Sequence, residues 1–267
     1  MGALQAVVFD WAGTTVDFGS RAPMGVFVEA FKSFDIDVTI AEARGPMGMA
    51  KRPHIAALMQ LPRIAEQWRA RYGKDPDDAA IDAVYDVFVP KNAEVVVDYA
   101  DLIPGTAETV AALRARGLKI GSTTGYTRDI MAPLLPIAAE QGYAPDCLVC
   151  TGDTKEGRPA PLMLYRCMLD LGAWPSRLVV KVDDTEVGIE AGLNAGCWTV
   201  GVALTGNACG LSLEELSQLA PEELAAASAL AEAKLYAAGA HYVIDGIADL
   251  LPVIDRIEGR LARGERP

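Results

Sequence analysis

The feature that most constrains this chain is an alternation. Short apolar runs rich in β-branched residues, Gln5–Trp11, Leu118–Thr124, Cys147–Thr151, Leu178–Asp184, Cys197–Leu204 and Tyr242–Asp245, are bounded by Gly, Asp or Thr. Between most of them lie helical patterns, Pro104–Arg116, Thr127–Gln141, Ala160–Leu171 and Thr185–Asn194, the first followed by Gly117 and the last by Gly196 two residues on. Runs this apolar read as strands covered on both faces. Strands alternating with helices predict an α/β fold, a Rossmann-like parallel sheet with helices on both sides. A ligand then sits outside the carboxyl ends of the strands.

One stretch breaks the alternation. Residues 19–99 carry no convincing strand and read as helices: Pro23–Phe34, Ile40–Arg44, Pro53–Leu61, Pro62–Tyr72 and Asp78–Val89, with Thr39 and Glu42 spaced as a capping box. This is far too long for a plain crossover. The predicted organisation is therefore a sheet core of residues 1–18 and 100–267, interrupted by an all-helical module over 19–99. Pro221–Gly239 reads as a surface helix, and the tail Gly259–Pro267 is expected to fray.

Charge narrows the partners. Lys and Arg number 24 against 36 Asp and Glu, a formal charge of −12, which argues against nucleic acid. A small anionic substrate stays possible, because a few local cations override a distant net charge. No run of 18 apolar residues predicts a membrane span, and the first residues lack the basic region of a signal peptide. The five scattered cysteines read as reduced thiols of a cytoplasmic protein, and the Cys147/Cys150 pair as core packing rather than a metal or redox site.

Three strand ends carry the chemistry. The first delivers Asp10 after Val7-Val8-Phe9 and is followed by Gly13, Thr14 and Thr15. A carboxylate there can attack phosphorus or bind a metal. The second ends in Ser122-Thr123-Thr124-Gly125-Tyr126, a hydroxyl and N–H cluster suited to phosphate oxygens. The fourth ends in Asp183-Asp184, suited to Mg²⁺. One acid at a strand end is often only a turn or capping residue. Three such ends at one sheet edge form a site.

These motifs, with the helical insert after the first, resemble the haloacid dehalogenase superfamily and its type-one cap. Within it the Phe9–Asp17 segment, Pro46-Met47-Gly48 with Lys51 and His54, Gly157-Arg158-Pro159 and Asn194-Ala195-Gly196 are similar to the phosphonoacetaldehyde hydrolase (phosphonatase) family. That resemblance spans nearly the whole chain. It implies hydrolysis of the C–P bond of phosphonoacetaldehyde to acetaldehyde and phosphate, in 2-aminoethylphosphonate degradation.

Ala12 is the informative departure. Most phosphatases of the superfamily place an acid there to protonate a departing alkoxide. Ala12 cannot, so either the chain is a weak phosphatase or the leaving group is not an alkoxide. A carbanion leaving group needs an electron sink, which an imine on Lys51 would supply. If a helix begins beside it, its positive end and neighbouring Arg52 both favour the neutral amine. His54, three residues on, would shuttle protons. Taken singly, Lys51 reads equally as a solvated charge and His54 as a structural histidine.

The resemblance assigns the remaining roles. Asp10 is the nucleophile. Mg²⁺ is held by Asp10, the backbone carbonyl of Ala12 and Asp184, with Asp183 a secondary candidate. Thr124, Gly125 and Arg158 hold the phosphonate oxygens, and Met47 and Tyr126 border the imine, unless they only pack. Ser20 stands where the family usually has a cysteine, and Gly188 where many superfamily members have an acid. A homodimer through the cap is implied. Two other readings remain: an ester phosphatase or sugar-phosphate mutase, and a non-catalytic module that binds a phosphorylated ligand.

Overall fold

The computed structural model describes residues 2–267. Six parallel strands, β1 (Ala6–Phe9), β2 (Lys119–Thr124), β3 (Cys147–Cys150), β4 (Val179–Asp183), β5 (Trp198–Val202) and β6 (Tyr242–Ile244), form one sheet ordered β3-β2-β1-β4-β5-β6. Each predicted strand run contains one of them. Successive residues of β1 point to opposite faces, and both faces are covered. Val7 and Phe9 join one buried cluster and Ala6 and Val8 another.

Helices α1 (Ala22–Lys32), α2 (Ile40–Arg44), α3 (Lys51–Met59), α4 (Pro62–Tyr72) and α5 (Asp78–Val95) all lie between β1 and β2. They pack on each other around Phe27, Phe31, Leu58, Val84 and Phe88, in a cluster separate from the two that flank the sheet. The Thr39 capping box forms. Then come α6 (Thr106–Ala115), α7 (Arg128–Glu140), α8 (Leu162–Leu171), α9 (Glu186–Asn194), α10 (Leu213–Ser217), α11 (Pro221–Ala237) and α12 (Leu250–Ala262). Residues of α6, α7 and α12 cover one face of the sheet and residues of α8 and α9 the other. No described helix is long and apolar enough to cross a membrane.

Three local expectations change. Helix α3 begins at Lys51, two residues before the predicted start, because Pro53 is accommodated in a first turn whose N–H groups have no intrahelical partner anyway. Helix α5 runs through Pro90 to Val95 instead of stopping at Val89. Phe88 and Asn92, buried on either side of the proline, hold the backbone helical against its local preference. The tail does not fray at Gly259. Helix α12 continues to Ala262, Arg260 stacks 4.4 Å over the Trp198 ring, and Glu265 pairs with Arg260 at 2.7 Å.

The chain turns away from its first direction between β1 and β4, and the crevice of such a sheet opens at the carboxyl ends of those two strands. The register Phe9↔Val182, with the Asp10 N–H donating to the Val182 carbonyl at 3.0 Å, sets Asp10 beside Asp183 there. Phe88, fully buried and stacked 4.3 Å from Phe27, is central to the helical cluster. Phe88→Ala is expected to cost about 3–5 kcal/mol in urea unfolding; a loss below about 1 kcal/mol would show that the cluster closes over the gap.

Candidate active site

A cavity at the carboxyl end of the sheet brings together most of the predicted residues. Asp10, Ala12, Thr124, Gly125, Tyr126 and Arg158 form its sheet side. Met47, Gly48 and Lys51 close it from the helices, and Ser20 lies in the wall between. The helical side approaches the sheet side closely at Gly48. Gly48, at φ 87, packs on Thr185 and Val187 where a side chain would collide.

Asp10 accepts from Arg158 Nη2 at 2.7 Å through Oδ1. The same nitrogen donates to the Thr123 carbonyl at 2.6 Å, and Arg158 Nη1 lies 3.3 Å from Asp183 Oδ2. Burial works against the guanidinium charge, but Asp10 and Asp183 more than offset it and hold Arg158 above its ordinary range. Thr124 Oγ1 accepts from the Tyr126 N–H at 3.1 Å, fixing the turn that faces the cavity.

Asp183 has both oxygens engaged. Oδ1 accepts from the Thr185 N–H at 3.0 Å and its hydroxyl at 2.7 Å, and Oδ2 pairs with Lys181 Nζ at 2.9 Å. Burial raises its carboxyl, but Arg158 and Lys181 outweigh that and keep it below the usual range. Asp184 is different. It accepts from Thr14 Oγ1 at 3.0 Å and the Asn207 N–H at 2.8 Å, and no cation touches it. Burial, then the charges of Asp10 and Asp183, push its carboxyl well above its ordinary value.

Ligand oxygens of Asp10, Asp183 and Asp184 lie within 4.8 Å of one another, the one such acidic cluster among the described residues. Three buried carboxylates with hard oxygen donors and unrelieved repulsion on Asp184 suit a divalent cation of the Mg²⁺ class. Asp183 is already matched by two cations, Arg158 and Lys181, whereas Asp10 pairs with Arg158 alone and Asp184 with none among the described residues, which leaves Asp10 and Asp184 the better placed for an added cation. The absence of an acid at 188 has a steric cause: a Cβ there would land on the Asp183 carboxylate. The strand-end acid fills the space that a side chain on α9 would need.

Lys51 is 3% exposed, and its amine has no hydrogen-bond or ion-pair partner among the described residues. Its Nζ lies 4.9 Å from the Tyr126 ring centre and 5.5 Å from that of Phe27. Burial is the main cause that draws its ammonium down to about 8, with Asp10 and Asp17 pulling the other way and Arg158 reinforcing the drop. Arg52 plays no part in this, contrary to expectation. It points outward, donating to Asp82 at 2.6 Å and Asp78 at 3.0 Å.

His54 follows Lys51 on the same face of α3 but is not in the cavity wall. It is fully buried and stacks 4.0 Å from Phe27. Its Nε2 is 2.8 Å from the Ala43 carbonyl. A carbonyl only accepts, so Nε2 carries the proton and Nδ1 is bare. Burial, then the charge of Lys51, lower its pKa to about 3, so the ring is neutral. Three supporting residues had no sequence assignment: Lys181 and Thr185 hold Asp183, and Asn207 holds Asp184; a lysine inside an apolar strand run was the one visible signal. Thr123, expected in the hydroxyl cluster for phosphate oxygens, instead accepts from Arg158 and Lys181. Asp17, buried and accepting from the N–H groups of Arg21 and Ala22 at 2.9 and 3.0 Å, is raised to about 7 by burial. The Cys147/Cys150 pair lies in β3 far from any acidic cluster, and all five cysteines are free.

Comparison with known proteins gives the family. The family model for haloacid dehalogenase-like hydrolases matches residues 4–196. A phosphonoacetaldehyde hydrolase of Paraburkholderia xenovorans is 61% identical over 267 residues, all of both chains. One of Salmonella gallinarum is 50% identical, again over the whole of both. The chain belongs to the phosphonoacetaldehyde hydrolase family of haloacid dehalogenase-like hydrolases. The crystal structure of a phosphonoacetaldehyde hydrolase like protein from Oleispira antarctica, 45% identical, superposes with a TM-score of 0.98 over 100% of this chain and 96% of that one. A putative β-phosphoglucomutase from Bacteroides vulgatus, 18% identical with a TM-score of 0.66 over 97% and 90% of the two chains, shares the fold alone.

The tight seat of Asp183 predicts that Gly188→Ala destabilises the protein by about 1–3 kcal/mol in urea unfolding, through overpacking. A neutral result would mean that Asp183 can leave its partners at little cost.

Proposed function

We propose that the chain hydrolyses phosphonoacetaldehyde to acetaldehyde and phosphate, with Lys51 and Asp10 as its two covalent groups. The observation that carries this reading is a buried amine, without an ion-pair partner among the described residues, in the wall of a cavity that also holds Asp10, with Ala12 in place of an acid. The full-length relatives at 50–61% identity support the substrate.

With a pKa near 8, about one Lys51 amine in ten is neutral at pH 7. The neutral amine adds to the aldehyde carbon, and loss of water leaves a protonated imine. His54 stands one turn on from Lys51 with a bare Nδ1, but its pKa near 3 and its place outside the cavity wall weigh against the expected role as proton shuttle. Asp10 then attacks phosphorus. The C–P electron pair moves into the imine, which becomes an enamine, and Asp10 becomes an aspartyl phosphate. No proton on a leaving oxygen is needed, which fits Ala12. Water hydrolyses the acyl phosphate. The enamine takes a proton at carbon, and a second water releases acetaldehyde and frees Lys51.

Arg158, Thr124 and the N–H groups around Gly125 are suited to the phosphonate oxygens, and Met47 and Tyr126 to the two-carbon portion. Mg²⁺ would be held by Asp10, the Ala12 carbonyl and Asp184, with Asp183 in support, and would supply positive charge against the phosphonate. Residues 19–99 act as a cap that must lift to admit substrate and seat again to bury Lys51. A homodimer through these helices and a cytoplasmic site, the latter supported by five free thiols, complete the reading.

Borohydride added with phosphonoacetaldehyde should inactivate the enzyme and label Lys51 in peptide maps. Labelling elsewhere, or retained activity, would sink the imine. Lys51→Met should abolish turnover, whereas phosphomonoester hydrolysis indifferent to that change would favour an ester phosphatase. The trapping rate should rise with pH and level off above about 8, because a lowered amine pKa enriches the reactive neutral form as pH approaches it. A profile still climbing at pH 10 would contradict a desolvated Lys51.

A further inference from the structure

Arg44, the last residue of α2, reaches out of the helical unit. Its Nη1 donates to the Gly19 carbonyl at 2.9 Å and to Asn207 Oδ1 at 3.1 Å, and its Nη2 donates to the Gly210 carbonyl at 2.9 Å. Asn207 Nδ2 returns a long bond to the Arg44 carbonyl at 3.4 Å. The guanidinium fills the space that a side chain at 210 would take. None of these partners is charged, so the guanidinium is held by hydrogen bonds whose directions it must match, not by an ion pair. A planar fork reaches three diverging oxygens, which a single ammonium cannot do.

The loop that Arg44 grips is bound on its other side to the site. The Asn207 N–H donates to Asp184 Oδ2 at 2.8 Å, and Gly206 packs directly on the Asp184 side chain. Thr205 Oγ1 donates to the Gly13 carbonyl at 3.1 Å, in the turn after Asp10. The Thr205 carbonyl accepts from the Gly19 N–H at 2.8 Å, where the chain enters the helical unit. Here Asp17, Gly19 and Ser20 all have positive φ, at 55, 82 and 51°. One short loop thus joins the nucleophile turn, the connecting segment, the helical unit and the acid that no cation touches.

We propose that Arg44 is a positioning residue that latches the helical unit onto residues 205–210 and, through Asn207, sets Asp184 only when Lys51 is seated over Asp10. The inference rests on the reading of residues 19–99 as a moving cap. When the cap lifts, the loop loses its grip on one side, and the bond that aims Asp184 Oδ2 loses its support. Metal affinity and amine burial then rise and fall together.

The test uses the full chain without substrate. In Arg44→Ala, modification of Lys51 by trinitrobenzenesulfonate, read by peptide mapping, should speed up roughly tenfold or more. Mg²⁺ affinity by calorimetry should weaken roughly 10–100-fold, as for loss of a group that orients a ligand. Arg44→Lys should follow Arg44→Ala, because it keeps the charge and loses the fork; it also decides the matter if the alanine variant fails to fold. A folded variant that protects Lys51 and binds Mg²⁺ like the parent, or that only melts earlier, overturns the latch. So does exposure of Lys51 with unchanged Mg²⁺ affinity, which would show no link to Asp184. Neither readout uses phosphonoacetaldehyde, so failure of the substrate reading would show separately, as absent imine trapping in the parent protein.

Discussion

Asp10, Asp183 and Asp184 are packed with Arg158 and Lys181 at the buried carboxyl end of β1 and β4, and the rest of the molecule is arranged around keeping those charges together. Each would be expensive to bury alone. The parallel register makes the grouping unavoidable, because Phe9 sits opposite Val182 and the two strands release their acids side by side. Two of the acids are matched by cations of the chain. The third, Asp184, is held only by neutral donors, Thr14 and the Asn207 N–H. The same crowding leaves no room for a side chain at 188. The acid pattern of the sheet edge is thus a matter of space as much as of charge.

The second constraint is that the site needs two units. In the proposed reading, the sheet supplies Asp10 and the anion-binding edge, and the helices supply the amine of Lys51. The helices alone would carry Lys51 at a surface, as an ordinary ammonium. Its desolvation comes from Tyr126 on the sheet side and Phe27 on the helical side, rings that seat the amine without offering it a counter-ion. Burial of the amine, and with it its lowered pKa, is therefore a property of the assembled pair.

His54 and Arg52 show how neighbours in sequence divide between interior and surface. Both flank Lys51 on α3, yet His54 is fixed by the Ala43 carbonyl and the Phe27 ring inside the helical cluster, while Arg52 pairs with Asp78 and Asp82 outside. Helical periodicity sends positions 51 and 54 to one side and 52 to another. The low pKa of Lys51 thus comes from burial and not from the adjacent positive charge.

What the sequence determined by itself was whatever short-range pattern controls. Apolar runs and glycine stops located the six strands and the helices between them, Thr39 and Glu42 announced their capping box, and Asp10, Thr124 and the Asp183-Asp184 pair lay at strand ends where chemistry collects. The tertiary structure alone decided which charges meet. Arg158 reaches Asp10 across 148 residues of chain and Arg44 reaches Asn207 across 163. It also carried α5 through Pro90 and ordered the C-terminal helix through Trp198 and Glu265. Local propensity is written in neighbouring residues and can be read from them, whereas burial and ion pairing depend on which distant surfaces come into contact, and that is fixed only when the whole chain packs.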